Sequence, residues 1–152
     1  MKNSFRRFLG LLGVLLALSS SAAFALTPGQ TLSADQIAQL GKLPVYDIGE
    51  SRVRVIPSQS NGGITLLLNA QGLVGSSRNE VAISEAPADR VQTVLRQTLP
   101  QPQSVQTYEP TGITVARYAD FAQAIEGLHA LKAALPDAQV SLSVRFGKKV
   151  PY

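Results

Sequence analysis

The chain has 152 residues, of which 45% are hydrophobic and 16% charged, and it contains no cysteine, no tryptophan and one histidine. This composition is typical of a globular protein, and it excludes a disordered chain, a disulfide-stabilised scaffold and a cysteine-ligated metal centre. Its 14 Lys and Arg residues outnumber its 10 Asp and Glu residues, which gives a formal net charge of +4.

The first 25 residues have the three parts of a secretory signal peptide. A basic start is followed by an apolar run over residues 8–18 and by the small-residue pattern Ala-Phe-Ala at 23–25. The basic residues of this start are Lys2, Arg6 and Arg7. The apolar run has 11 residues, whereas a membrane anchor needs about 20. We therefore predict a signal peptide over 1–25, and no stable membrane anchor after its cleavage.

Removal of the signal segment changes the charge of the chain. It takes away three basic residues and no acidic one, so 11 basic residues remain against 10 acidic residues, a net charge of +1. The remaining basic residues are spread along the chain, whereas nucleic-acid binding needs a clustered basic surface. We predict that residues 26–152 form a single exported domain, periplasmic or secreted, with no nucleic-acid partner.

The first part of this domain is predicted to hold one short helix and three short strands. Ser33 and Gln36 have the spacing of a capping box, which predicts a helix over 34–40. Apolar alternation and turn residues predict strands at 44–48, 52–56 and 64–68, the first two as a hairpin. The segments rich in Ser, Gly and Asn are predicted to be loops, at 58–63 and 69–79.

Six further elements are predicted from residue 80 onward. They are a strand at 80–84, a helix from Pro87 to about 99, strands at 103–108 and 113–118, a helix capped by Asp120 and ending at 135, and a strand at 139–146. This order is that of the ferredoxin-like βαββαβ arrangement. The predicted fold class is therefore α+β, with a ferredoxin-like unit at about 80–146, an N-terminal short helix and extra strands.

In element order, and in being exported, residues 80–146 resemble SPOR domains. The resemblance implies a four-stranded sheet covered on one face by two helices, and a peptidoglycan glycan strand as a ligand of that sheet. It is one of fold alone, carried by no residue motif, and it implies no site residues for this chain.

The residue inventory offers little catalytic chemistry. A cysteine nucleophile is excluded, and His129 lies on the long predicted helix, beside its apolar stripe. Two acidic pairs, Asp47 with Glu50 and Glu85 with Asp89, resemble neither a calcium loop nor a zinc site. We predict a non-enzymatic protein with no catalytic residue, no metal and no cofactor. A small enzyme with a carboxylate-based site is kept as an alternative, because two acids distant in the chain can meet in space.

The sheet face opposite the helices is the candidate binding surface. With Val105, Ile113 and Val115 taken to face the helices, strand alternation places other side chains on the opposite face. The candidate site residues there are Gln106, Tyr108, Tyr118, Ser143 and Arg145. Tyrosine, arginine and hydroxyl groups suit hydrogen bonding and stacking with a peptide or a glycan. Alternatively, the N-terminal strands, with residues 66–68, cover this face.

These observations predict a small exported binding protein of the bacterial cell envelope. The expected partner is an envelope protein or a peptide. The alternative partner is a glycan, such as that of peptidoglycan, bound by the open face of the sheet.

Overall fold

The computed structural model describes residues 25–61 and 63–147, which form three helices and a seven-stranded antiparallel sheet. The helices are α1 (Ala34–Gln39), α2 (Ala88–Gln97) and α3 (Phe121–Ala134). The strands are β1 (Val45–Ile48), β2 (Ser51–Asn61), β3 (Ile64–Leu68), β4 (Val74–Ser84), β5 (Ser104–Tyr108), β6 (Ile113–Arg117) and β7 (Gln139–Arg145). The predicted α+β class is confirmed. The predicted signal peptide, apart from Ala25, lies outside the described residues.

Strand β4 is the strand on which the rest of the sheet assembles. Along one edge, its first half pairs with β3 and its second half with β6. Its other edge pairs with β7, so that Ile83 lies opposite both Thr114 and Val140. The N-terminal hairpin of β1 and β2 extends the sheet beyond β3, and β5 extends it beyond β6. The sheet therefore has seven strands, where the predicted unit had four.

The change of partner along β4 occurs at an irregularity around Asn79. The register between β4 and β7 shifts between Ser77 and Val81. Asn79 has a φ of 59°, a conformation that asparagine adopts more readily than most residues. Its side-chain oxygen accepts a hydrogen bond from Thr65 Oγ1 at 2.9 Å, and its carbonyl accepts one from the Tyr118 N–H at 2.9 Å. Asn79 thus joins β3 to the end of β6.

Helix α1 forms through the predicted capping box. The Gln36 N–H donates to Ser33 Oγ at 3.3 Å, and the Ser33 N–H donates to Gln36 Oε1 at 2.9 Å. The helix packs on one side of the N-terminal strands. The cluster beneath it consists of Leu32, Leu43, Ile56, Leu68 and Val74, with Ile37 and Leu40 packed against them.

Helix α3 packs against both the N-terminal strands and the strands β4, β6 and β7. Its first two turns meet the N-terminal strands in a cluster of Phe121, Ile125, Val53 and Leu67. Its later turns enter the main core, which consists of Val81, Ile83, Val91, Leu95, Ala116, Tyr118, Ala124, Leu128, Leu131, Leu135 and Val140. Burial of this much apolar surface is the main force that holds such a domain together. The N-terminal strands and the strands β4, β6 and β7 therefore share α3 as a common core element.

The predicted loops at 58–63 and 69–79 are wrong in large part. Strand β2 continues to Asn61, which pairs with Ile64. After a turn at 69–72, β4 begins at Val74 and runs through the segment Gly-Ser-Ser. A Cβ on Gly75 would collide with the ring of Phe146. Close packing therefore requires glycine at position 75, although the Ser and Gly content of this segment predicts a turn.

Candidate functional site

The sheet face opposite α2 and α3 is accessible to solvent over β5, β6, β4 and β7. In β6, Thr114 and Ala116 are buried, while the alternating residues Ile113 and Val115 are half-buried on the other side. The cross-strand partners of Ile113 and Val115 lie on β5 and share their face. We call the following side chains the open face: Glu80, Ala82, Gln106, Tyr108, Ile113, Val115, Arg117, Ser141, Ser143 and Arg145.

Four of the five predicted site residues lie on the open face. Gln106 and Tyr108 are exposed on β5, and Tyr108 retains 45% of its surface in solvent. Ser143 and Arg145 lie on β7, at the opposite border of the same face. Three strand spacings, about 14 Å, separate β5 from β7. The predicted residues therefore form two groups at the two borders of the face.

The placement of Tyr118 on this face is wrong. Its side chain is 2% exposed and belongs to the main core beneath the helices. The predicted alternation of β6 was displaced by one residue, and such a displacement moves every side chain to the other face. Ile113 and Val115 suggested the buried face because β-branched residues are common there. In the structure, the smaller Thr114 and Ala116 fill the space under the helices.

The alternative in which the N-terminal strands cover this face is also wrong. Those strands lie beside β4 in the same sheet and extend it. Leu67 is buried against the first turns of α3, and Leu68 is buried in the cluster beneath α1. The leucine run thus fills two cores on opposite sides of the N-terminal strands.

The hydroxyl of Tyr118 is buried with no hydrogen-bond partner among the described residues. The ring lies so close to α3 that a Cβ on Gly127 would collide with it. Burial raises the pKa of the Tyr118 hydroxyl above its ordinary value of 10.0, because the phenolate would be poorly solvated. Tyr118 is thus a core residue that carries a desolvated polar group.

Replacing Tyr118 by phenylalanine is expected to raise the free energy of unfolding at neutral pH by about 1 kcal/mol, since it removes a buried hydroxyl without a partner. The raised pKa adds a pH effect. The part of the free energy of unfolding that is linked to this hydroxyl is fully present below the unfolded-state pKa of about 10. It is lost as the pH rises through the higher folded-state pKa. Tyr118→Phe removes this alkaline loss.

Urea denaturation at neutral pH and at about pH 10.5 measures both effects. The exposed Tyr108→Phe variant is the control, because it removes a hydroxyl that folding does not bury. A loss of stability in Tyr118→Phe at neutral pH would show that the hydroxyl has a hydrogen-bond partner.

Two ion pairs are present among the residues that the structure describes. Arg117 Nε lies 3.5 Å from Glu80 Oε1 on the open face. Arg52 Nε lies 2.8 Å from Asp47 Oδ1 on the first hairpin, and the hydrogen bond from Arg52 lowers the pKa of Asp47. Arg145 makes no ion pair within the described ranges. The charges of the open face are therefore the Glu80–Arg117 ion pair, in which the two charges compensate each other, and Arg145.

A groove of about 420 Å³ lies between α2 and the beginning of β5. Its lining residues are Gln92, Leu95, Arg96, Gln101, Pro102, Gln103, Ser104 and Val105. This groove was not predicted from the sequence. Its walls come from a helix and a strand that only the folded chain brings together, and no spacing rule connects them. The one available signal was that 104–108 is a strand without any charge.

The residues considered for catalysis are dispersed. His129 is exposed on α3, and Glu85 and Asp89 are exposed beside the start of α2. Over 25–61 and 63–147, no three His, Cys, Asp or Glu side chains are grouped as metal ligands. The same ranges contain no helix with the length and apolarity needed to span a membrane.

Comparison of the chain with protein-family models, with curated proteins and with solved structures finds no match. The geometry described above is therefore the basis for inferring a function.

Proposed function

We propose that this chain is a small exported binding protein of the bacterial cell envelope, which recognises a protein or peptide partner through the open face. The observation that carries the proposal is the exposure of this face over four adjacent strands. Its apolar side chains, Ile113 and Val115 on β6 and Ala82 on β4, share the two inner strands with the Glu80–Arg117 ion pair, and the outer strands β5 and β7 add mainly polar side chains. Apolar side chains bordered by polar ones are usual in a protein interface.

We propose further that β4, α2, β5, β6, α3 and β7 form a ferredoxin-like unit. Two observations support this interpretation. The spatial order of its strands is β7-β4-β6-β5, all antiparallel, and both helices pack on the same face of the sheet. The hairpin, β3 and α1 are then an N-terminal extension, and the open face belongs to the unit itself.

A protein or peptide suits the open face better than a glycan. Stacking on sugar rings uses aromatic side chains, and the burial of Tyr118 leaves Tyr108 as the aromatic residue among the open-face side chains. Tyr108 lies at one border of the face, on β5. The apolar pair Ile113 and Val115 on the inner strand β6 instead matches an apolar side chain of a partner.

Site-specific photocrosslinking in the bacterial envelope tests this function. A benzophenone amino acid in place of Gln106, at the border of the open face, is expected to form a defined adduct with a partner protein. The substitution Val115→Arg places a charge among the apolar side chains of the open face and is expected to abolish that adduct. The matched control is Lys132→Glu, an exposed change on α3 that should leave the adduct unchanged.

Persistence of the adduct in Val115→Arg would contradict the use of this face. Co-sedimentation of the chain with purified sacculi, abolished by Tyr108→Ala, would instead establish the glycan alternative.

A further inference from the structure

Strand β5 has an edge that is free to accept another strand. It is the last strand in the order of the sheet and pairs only with β6 within the described structure. Alternate backbone N–H and C=O groups of residues 104–108 therefore face away from the sheet. Four of its five residues are exposed, and its pairing with β6 continues without a bulge. A regular, exposed edge of this kind is a template for strand addition.

Three usual protections of an edge strand, namely charge, proline and a bulge, are absent from β5. Natural edge strands carry charged residues, prolines or bulges that prevent pairing with other chains. The sequence of β5 is Ser-Val-Gln-Thr-Tyr, with neither a charge nor a proline. By contrast, the edge strand β1 contains Asp47, which is paired with Arg52 of β2. The difference indicates that the edge of β5 is kept available.

The groove described above adjoins the helix-facing side of this edge. Val105 points to the helix side, because it lies opposite the buried Ala116, yet it is 42% exposed. Leu95 of α2 also lines the groove, although it is 3% exposed, so that Val105 supplies most of the apolar surface. A strand added beside β5 would place every second side chain between these two residues and the solvent. The groove thus offers backbone pairing and an apolar contact to the same segment.

The charge of the groove favours an acidic occupant. Arg96 is the one charged residue in the lining, and residues 90–108 contain no Asp or Glu. Arg96 makes no ion pair with any residue in the described part of the chain, and its guanidinium donates a hydrogen bond to Thr93 Oγ1 at 3.4 Å. A carboxylate of the added strand would complete the interactions of Arg96.

The same charge opposes self-association through this edge. If two copies of the chain paired their β5 strands antiparallel, the two α2 helices would lie on the same side of the joint sheet. Each would bring its Arg96 to the junction, with no acidic residue of either groove to compensate it. Like charges at an interface disfavour that partner.

We propose that an extended acidic peptide segment of a partner protein binds by adding a strand to β5, in the groove against α2, with a carboxylate on Arg96. This site goes beyond the open face, because it uses the outer edge of β5 and the helix side of the sheet. A strand added to this edge would also lie beside Gln106. The Val115→Arg variant, which changes the open face and not the groove lining, distinguishes the two surfaces.

The probe is a fluorescein-labelled decapeptide with threonine at every odd position and valine and glutamate alternating at the even positions. Fluorescence polarisation with the chain is expected to show saturable binding. Replacing the glutamates by lysines should weaken binding at least tenfold, as should N-methylation of alternate residues, because the methyl groups remove the backbone donors. In the protein, Arg96→Gln should weaken binding of the acidic probe about tenfold.

Two control variants distinguish binding in the groove from binding elsewhere on the surface. Arg90→Gln makes the same charge change on α2 outside the groove lining, and it is expected to keep the affinity within about twofold. Val115→Arg, on the open face, is also expected to keep the affinity for the acidic probe within about twofold. This holds whether or not the open face binds a partner.

Equal binding of the glutamate and lysine probes, full binding of the N-methylated probe, or no binding of any probe would overturn the proposal. A dimer in sedimentation experiments that Val105→Lys dissociates would also overturn it, and would assign this edge to a second copy of the chain.

Discussion

Replacement of Phe121 by alanine is expected to lower the free energy of unfolding by about 3–5 kcal/mol, the usual cost of removing a buried aromatic side chain. Phe121 is 3% exposed and begins α3. Its ring meets that of Tyr46 edge to face, with the centroids 5.5 Å apart and the planes at 77°. Its loss would open a cavity between α3 and the N-terminal strands, where Val53 and Leu67 also pack.

Urea denaturation followed by circular dichroism measures the loss of stability. Because Phe121 contacts the N-terminal strands, hydrogen exchange in β1, β2 and β3 should accelerate more than exchange in β6 and β7. Phe146→Ala is the control, since its ring is 36% exposed and should cost about 1 kcal/mol. A smaller loss for Phe121→Ala than for Phe146→Ala would contradict the role of α3 as the shared core element.

Replacement of Gly127 by alanine is expected to destabilise the protein by about 2–3 kcal/mol, as overpacking of a tight core does. In the interior of an exposed helix, the same change would stabilise by about 1 kcal/mol through helix propensity. Here the new Cβ would collide with the Tyr118 ring. Tyr118 is 2% exposed and belongs to the main core, so its ring can shift only if neighbouring core side chains shift with it.

A double-mutant cycle tests that cause. Leucine at position 118 lacks the outer ring atoms and the hydroxyl that the new methyl group would meet. Gly127→Ala should therefore cost much less in the Tyr118→Leu background than in the wild type, with a coupling energy of about 1–3 kcal/mol. Thermal or urea unfolding of the four proteins gives this value. An equal cost in both backgrounds would show that the helix backbone, and not Tyr118, rejects the alanine.

The helices could be predicted from the sequence because their signals are local. The capping pair Ser33 and Gln36 set the start of α1, and both predicted hydrogen bonds are present. For α3, the Asp120 carboxylate accepts the predicted cap from the Gln123 N–H at 2.8 Å. Caps and helical periodicity depend on residues within about one turn of each other. Their effect is therefore fixed before any distant part of the chain is in place.

The sequence predicts the strands less completely than the helices. It predicts which face of each strand is buried less completely again. The alternation of β7 indicated its buried side, where Val140 is 7% exposed. In β6 the most hydrophobic residues lie on the open face, so the same rule gave the wrong side and misplaced Tyr118. The other four candidate site residues lie on the predicted face, because the alternation of β5 and β7 was predicted correctly.

What the sequence determined by itself is thus the α+β class, the positions of the three helices, and the outward placement of Gln106, Tyr108, Ser143 and Arg145. Only the tertiary structure decided that Tyr118 is buried, that β4 carries β3, β6 and β7, and that a groove forms beside β5. The physical reason is the range of the interactions. A cap or a helical stripe is decided within a few residues. The face that a strand buries depends on partners far along the chain, as when Ala116 of β6 packs beside Val81 of β4 in the main core, and no local pattern records that fit.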